Sequence, residues 1–308
     1  MIVKYFAAVL MVFASSSVFA NDVVKVFILA GQSNMEGAGR IKADQKANGG
    51  KGSLEWLVSD ASTAAKFKHL VNADGEWVVR DDVQIWYLGR KGGLTPGFGA
   101  REGETIGPEL GFGHVVGEAF EEPVLLIKLA WGGKSLAKDF RPPSSGGETG
   151  SYYKDLLKLT REVMSDAAKL FPQVASHKLE LSGLGWHQGW NDRVNQDFND
   201  HYEENMANFI RDIRKDLKAP NLPFVIAETG MSGHEEKHPR ALSLMKAQAN
   251  VAKLDEFRDN VAFVGTKEFY RPKEQSPSGQ AYHWNSNAET YYLIGDSMGK
   301  AMLRLMQR

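Results

Sequence analysis

The chain has 308 residues, 43% of them hydrophobic, and its 37 Lys and Arg are balanced by 38 Asp and Glu. That length and apolar fraction suffice for a sizeable core in one large domain or two small ones, and the near-zero net charge leaves no global field to attract nucleic acid or an anionic membrane. The absence of cysteine excludes thiol catalysis, thiolate metal sites and disulfide staples, so stability must come from the core.

Lys4 is followed by an apolar run over 6–13, then by small residues that end in Val18 and Ala20 before Asn21. This is the pattern of a secretory signal peptide (1–20), cleaved after Ala20, which predicts a periplasmic or secreted protein. The run is shorter than the ~20 residues of a spanning helix, and no later segment approaches that length, so no membrane segment is expected after cleavage. Residues 23–30 form a nearly continuous apolar run rich in Val and Ile, the pattern of a strand covered on both faces. The stretch 40–107 breaks the rhythm: it is rich in Gly, Lys and Asp, only 83–88 reads as a strand, and 89–103 reads as a Gly-rich loop within a long excursion over the sheet. Beyond it, helical patterns at 110–119, 152–170, 201–217, 241–253 and 287–307 alternate with strand patterns at 123–130, 179–186, 223–227 and 261–265. Strands alternating with helices predict an α/β domain with a parallel sheet. With no linker or internal repeat, 21–308 reads as a single domain.

In an open parallel sheet, ligands bind beyond the carboxyl ends of the strands, and the chemically informative residues of this chain follow strands. Gly31-Gln32-Ser33-Asn34-Met35 comes after the first, Trp131-Gly132-Gly133 after the strand at 123–130, His187-Gln188-Gly189-Trp190-Asn191-Asp192 after that at 179–186, and Glu228-Thr229-Gly230 after that at 223–227. Ser33, just beyond a strand and close to Gly31, reads either as a nucleophile or as a helix N-cap. The G-x-S-x-G elbow of α/β-hydrolases is not present, since Met35 stands where its second glycine would be.

VFILAGQSNMEG (26–37), AWGGKSL (130–136), WHQGWND (186–192) and YHWNSNAETYYLIG (282–295) closely resemble, in order, the blocks of the SGNH (GDSL-like) hydrolases, in the branch of sialate O-acetylesterases and carbohydrate esterase family six. The resemblance implies a three-layer α/β/α fold with a parallel, flavodoxin-like sheet. It also implies a serine esterase that removes acetyl groups from carbohydrate through an acyl-enzyme, without cofactor or metal. Ser33 is then the nucleophile and, through its backbone amide, part of the oxyanion hole. Gly133, or alternatively Gly132, adds a second amide, and Gln188 a side-chain amide. His283 is the base, at a position where imidazole titrates usefully near neutral pH.

Two departures stand out. Many SGNH enzymes have aspartate three residues before the histidine, where this chain has Gln280, and relatives often have glutamate in the place of Trp190. Asp192 or Glu228 could supply the missing acid, the Gln280 carbonyl could orient His283, or the enzyme could work as a dyad; Asp192 is the favoured acid. Trp131, Trp190, Trp284 and Tyr282 read either as faces for a sugar ring or as core lids. His234 and His238, with Glu235 and Glu236, read as a solvated loop rather than a metal site. The alternative functions are a non-catalytic carbohydrate-binding protein on the same fold, motivated by Gln280 and Trp190, and an esterase for other acyl groups. The sugar, the acetyl position and the oligomeric state are not encoded in these motifs.

Overall fold

A computed structural model describes residues 23–307, so the expected signal peptide lies outside the described residues. In chain order the elements are β1 (Val23–Gly31), α1 (Ser33–Glu36), β2 (Gly39–Arg40), α2 (Leu54–Ser59), α3 (Ala64–Phe67), β3 (Arg80–Tyr87), β4 (Arg90–Leu94), β5 (Thr105–Ile106), α4 (Pro108–Ala119), β6 (Val124–Ala130), α5 (Ser151–Leu170), β7 (Lys178–His187), α6 (Trp190–Arg193), α7 (Gln196–Asp200), α8 (Tyr202–Asp216), β8 (Phe224–Ala227), α9 (Pro239–Val251), β9 (Val261–Val264) and α10 (Ala288–Met306).

Seven strands form the main sheet in the order β4-β3-β6-β1-β7-β8-β9. All pair in parallel except the edge strand β4. Without the β3–β4 hairpin, the order β6-β1-β7-β8-β9 is the flavodoxin-like one, as the resemblance implied. Its switch point lies at β1, where successive connections leave in opposite directions and open a crevice. Both faces of β1 are buried, which explains its unbroken apolar run. Val26 and Ile28 pack with Leu156 of α5, Phe209 of α8 and Leu244 of α9. Phe27 and Leu29 pack with Phe112 of α4 and with Ile294 and Met298 of α10.

Sequence and structure part company in the excursion. Residues 90–94, expected in a loop, form β4, although Gly92 and Gly93 give it little strand propensity of its own. Pairing with β3 compensates, and the close approach requires glycine, since a Cβ on Gly93 would lie 2.5 Å from the Arg80 carbonyl oxygen. The excursion also holds α2 and α3. Ser53 caps α2 by accepting from the Trp56 N–H, and Leu54, Leu57 and Phe67 join the core beside α10.

The two helices on that side meet backbone to backbone. A Cβ on Gly111 of α4 would lie 2.1 Å from the Tyr292 carbonyl oxygen, and one on Gly295 of α10 would lie 1.9 Å from that of Pro108. Such distances admit only glycine, so α10 cannot shift without reopening the core. Gly295→Ala should therefore cost about 3 kcal/mol in urea unfolding, from overpacking. Gly279→Ala, where a Cβ meets nothing closer than 3.9 Å, should stay within about 0.5 kcal/mol of the parent.

Candidate active site

The crevice is built outward from the end of β1. Gly31 opposes His187 of β7, and with φ +153° a Cβ there would lie 2.2 Å from the His187 carbonyl oxygen. Glycine alone allows the two strand ends to meet this closely. Gln32 continues the seam, its N–H donating to the His187 carbonyl and its Oε1 accepting from the N–H groups of Gly189 and Asn191 at 3.1 and 3.3 Å.

Ser33 is the first residue of α1 and partly exposed. The N-cap position falls to Gln32, with no side-chain capping bond, so the cap alternative does not describe Ser33. Among the described residues no acceptor meets its N–H, as befits an amide in a first helical turn.

Asn34 carries the link to the far end of the chain. It is buried, its Nδ2 donates to the Tyr282 carbonyl at 3.0 Å, and its Oδ1 accepts from the Tyr291 hydroxyl at 2.8 Å. The same hydroxyl lies 3.3 Å from the His283 carbonyl. The neighbour of Ser33 is thus tied to both sides of His283, 249 residues away in the chain.

His283 lies in a short 3₁₀ segment, Ala281–Ser286, in which Trp284, Asn285 and Ser286 all have positive φ of 50°, 54° and 58°. Fully buried Trp284 and the Asn285 Nδ2 bond to the Arg271 carbonyl at 3.0 Å hold this unusual backbone. His283 stays partly exposed and lines a cleft of about 650 Å³ with Arg40, Arg101, Gly279 and Gln280. Burial lowers its pKa from the ordinary imidazole value, and no carboxylate charge opposes that shift.

The expected acid is elsewhere. Asp192 is buried, with Oδ1 accepting from the Ala137 N–H at 2.9 Å and Oδ2 from the Leu136 N–H at 2.8 Å and from Gln188 Nε2. Its carboxylate is spent on the loop after β6; burial raises its pKa to about 6 against the pull of those three donors. Glu228 accepts from the Thr266 N–H and pairs with Lys267. The Gln280 carbonyl accepts from the N–H groups of His283 and Asn285. Each of the three repairs that would assist His283 is therefore engaged elsewhere.

Gln188 also departs from its expected place. Its Nε2 donates to the Lys134 carbonyl as well as to Asp192, and its Oε1 lies 3.3 Å from the Tyr202 hydroxyl. Both amide protons are thus spent inside the fold, since the tight turn at Gly189 sends the side chain inward. The polar side chain on the Ser33 side is Asn191, which the sequence reading passed over. Its Nδ2 donates to the Gly133 carbonyl at 2.6 Å, its Oδ1 lies 3.4 Å from Gln32 Nε2, and its second amide proton has no partner among the described residues.

Gly132 and Gly133 are exposed; Gly133 has φ +71°, and no acceptor among the described residues meets its N–H. Of the aromatic residues, Trp284 is core, because the left-handed backbone turns its ring inward. Trp131 packs on Phe140 and Tyr152. Trp190 is partly buried against Tyr282, whose 39% exposure leaves a face open beside His283. His234 pairs with Glu268 and His238 caps α9; no acid and histidine cluster fit for a metal occurs among the described residues.

Residues 23–304 match the model of the family described as carbohydrate esterase, sialic acid-specific acetylesterase, in agreement with the resemblance of the four motifs. A probable carbohydrate esterase of Arabidopsis thaliana is 24% identical over 243 residues, 75% of this chain and 78% of the relative. The crystal structure of that Arabidopsis protein superposes with a TM-score of 0.59 at 18% identity, covering 92% of this chain and 98% of the other. A carbohydrate acetylesterase from Xanthomonas citri superposes with a TM-score of 0.54 at 15% identity, over 90% of this chain and 55% of the other. At these identities the superpositions establish the shared fold.

The placement of Asp192 yields a discriminating expectation. Asp192→Ala strands three buried donors and should lower stability by about 3 kcal/mol or more in denaturant unfolding. Folded Asp192→Asn should retain acetyl-ester turnover well above the ~10⁴-fold loss that follows removal of a triad carboxylate; a loss of that size would return the acid role to Asp192.

Proposed function

The chain belongs to the family of carbohydrate esterases described as sialic acid-specific acetylesterases, and from that premise we propose that it removes acetyl groups from sugar hydroxyls by a serine mechanism. Ser33 is the nucleophile and His283 the base. The observation that carries this reading is the buried tie of Asn34 to the Tyr282 carbonyl and, through Tyr291, to the His283 carbonyl, which joins the segment of Ser33 to that of His283.

Ser33 Oγ attacks the acetyl carbonyl as His283 takes its proton. The sugar hydroxyl then leaves with that proton, and water, deprotonated by the same imidazole, cleaves the acetyl-serine to acetate. Charge that appears on the carbonyl oxygen is met by the Ser33 and Gly133 N–H groups and by the unspent Asn191 amide proton, which takes the part first expected of Gln188. His283 works without a carboxylate partner. Burial lowers its pKa and so favours the neutral form, the one able to accept a proton. Tyr282 and Trp190, in ring contact with each other and next to His283, offer an apolar face for the sugar ring. The N-terminal pattern supports export to the periplasm or beyond, with 21–308 working as one domain.

Ser33→Ala should abolish release of acetate from an acetyl-ester substrate while circular dichroism stays unchanged; full turnover in that variant would remove the nucleophile. Asn191→Ala should lower kcat by about 10² to 10³, the cost of one oxyanion donor, whereas Gln188→Ala should act mainly on stability. Because the partly buried imidazole titrates below its ordinary value of 6.5, kcat/KM should hold at pH 7 and fall only as pH drops below the ordinary histidine range. An acid limb above that range would contradict an unassisted His283.

A further inference from the structure

We infer that Glu36 is a positioning residue: its carboxylate holds the backbone of Gly132, so that the next amide, that of Gly133, stays presented beside Ser33. This rests on the reading that Ser33 attacks and Gly133 receives the oxyanion.

Glu36 ends the single-turn helix that Ser33 begins, and a spacing of three residues puts both on one side of it. Its carboxylate lies against the loop after β6. A Cβ on Gly132 would stand 3.0 Å from Glu36 Oε2 and 3.8 Å from Ser33 Cβ, so the loop touches nucleophile and carboxylate together. The Gly132 N–H faces the carboxylate and favours its ionised form, as do the Lys128 and Arg90 charges, while the Tyr87 hydroxyl lies 3.3 Å from Oε1. Burial opposes these and leaves the pKa above the usual glutamate value.

The loop tip has little else to fix it. Nothing lies within 4 Å of where a Gly133 Cβ would be, so side-chain packing does not set its position. Polar contacts reach it instead: Asn191 Nδ2 bonds the Gly133 carbonyl from one side, Gln188 Nε2 bonds the adjacent Lys134 carbonyl, and the Glu36 carboxylate lies against Gly132 from the other side. Glu36 is itself anchored from below. Lys128, fully buried in β6, donates at 2.7 Å to each of the Glu36 carbonyl, the Phe98 carbonyl and Glu109 Oε2. An ion pair enclosed this way resists rearrangement, because breaking it would leave a buried charge without a partner. The helix end, the carboxylate and the amide loop therefore form one rigid chain of contacts. An oxyanion donor helps only if it already sits where the charge will develop.

The test compares Glu36→Ala, Glu36→Asp and Glu36→Gln with the parent on p-nitrophenyl acetate, with thermal melting as a check on folding. Glutamine keeps an acceptor oxygen at the right reach and should stay within about threefold of the parent kcat. Alanine, and aspartate one methylene short, should lower kcat by about 10²-fold with KM nearly unchanged, the signature of a group felt only in the transition state. If the alanine variant fails to fold, the aspartate variant decides. Parent-like kcat in a folded alanine or aspartate variant overturns the inference. A rise in KM alone overturns it in favour of substrate binding, and a glutamine variant as impaired as alanine overturns it in favour of a charge effect. Ser33→Ala separates the two levels: if it is inactive while Glu36→Ala is not, only this inference falls, and if Ser33→Ala is active, the underlying reading falls first.

Discussion

A single buried amide, Asn34, joins the beginning of this fold to its end. Besides a contact with the Met231 sulfur, its hydrogen bonds reach the Tyr282 carbonyl and the Tyr291 hydroxyl, and both of these partners belong to the segment that carries His283 into α10. Buried polar groups of this kind are costly to leave unmatched, about 1–3 kcal/mol each, so the pairing selects one register of α10 against the sheet. The backbone contacts at Gly111 and Gly295 enforce the same register one turn further along the helix. Three consecutive left-handed residues, Trp284 to Ser286, cost about 1–3 kcal/mol apiece and persist because fully buried Trp284 over-determines the turn.

On the proposed mechanism, the crevice invests its electrostatics in the oxyanion side rather than in the base. His283 has burial and no carboxylate, whereas acidic and amide side chains hold the loop after β6 at several points. Asp192 grips the N–H groups of Leu136 and Ala137, Asn191 the Gly133 carbonyl, and Glu36 faces Gly132. Fixed donors in a site partly shielded from water stabilise developing charge without reorganising during the reaction. On that reading, the absence of a carboxylate at Gln280 is offset by precision in the amides. Asp192, the residue first expected to serve histidine, serves that precision instead.

Much of the architecture was legible because burial on both faces forces unbroken apolar runs. Residues 23–30 and 123–130 show such runs, 179–186 only toward its buried second half, and β1, β6 and β7 lie adjacent in the sheet. β4 was illegible for the opposite reason: its Gly93 serves close approach to β3, a tertiary demand that weakens the local strand signal. At the site, spacing identified which loops matter but not which way their side chains face. Gln188 and Asn191 lie three residues apart across the tight turn at Gly189, and only the backbone decides that the first points inward and the second toward Ser33. Trp284 misled similarly, because its left-handed conformation could not be read from YHWNS. Glu36 could have been found: a carboxylate three residues beyond a candidate nucleophile, at a strand-to-helix junction, shares its side of the helix.

The central claim, that residues joined through Asn34 act on one acetyl group, is tested most directly by rapid acid quench of the enzyme with excess acetyl ester, followed by peptide mass spectrometry. The account predicts one acetyl group, on the serine of the peptide containing Gly31-Gln32-Ser33-Asn34, appearing before steady state. It also predicts that the acetyl group is absent when His283 is replaced by alanine. Turnover without any acetylated peptide, or acetylation at another residue, would contradict it.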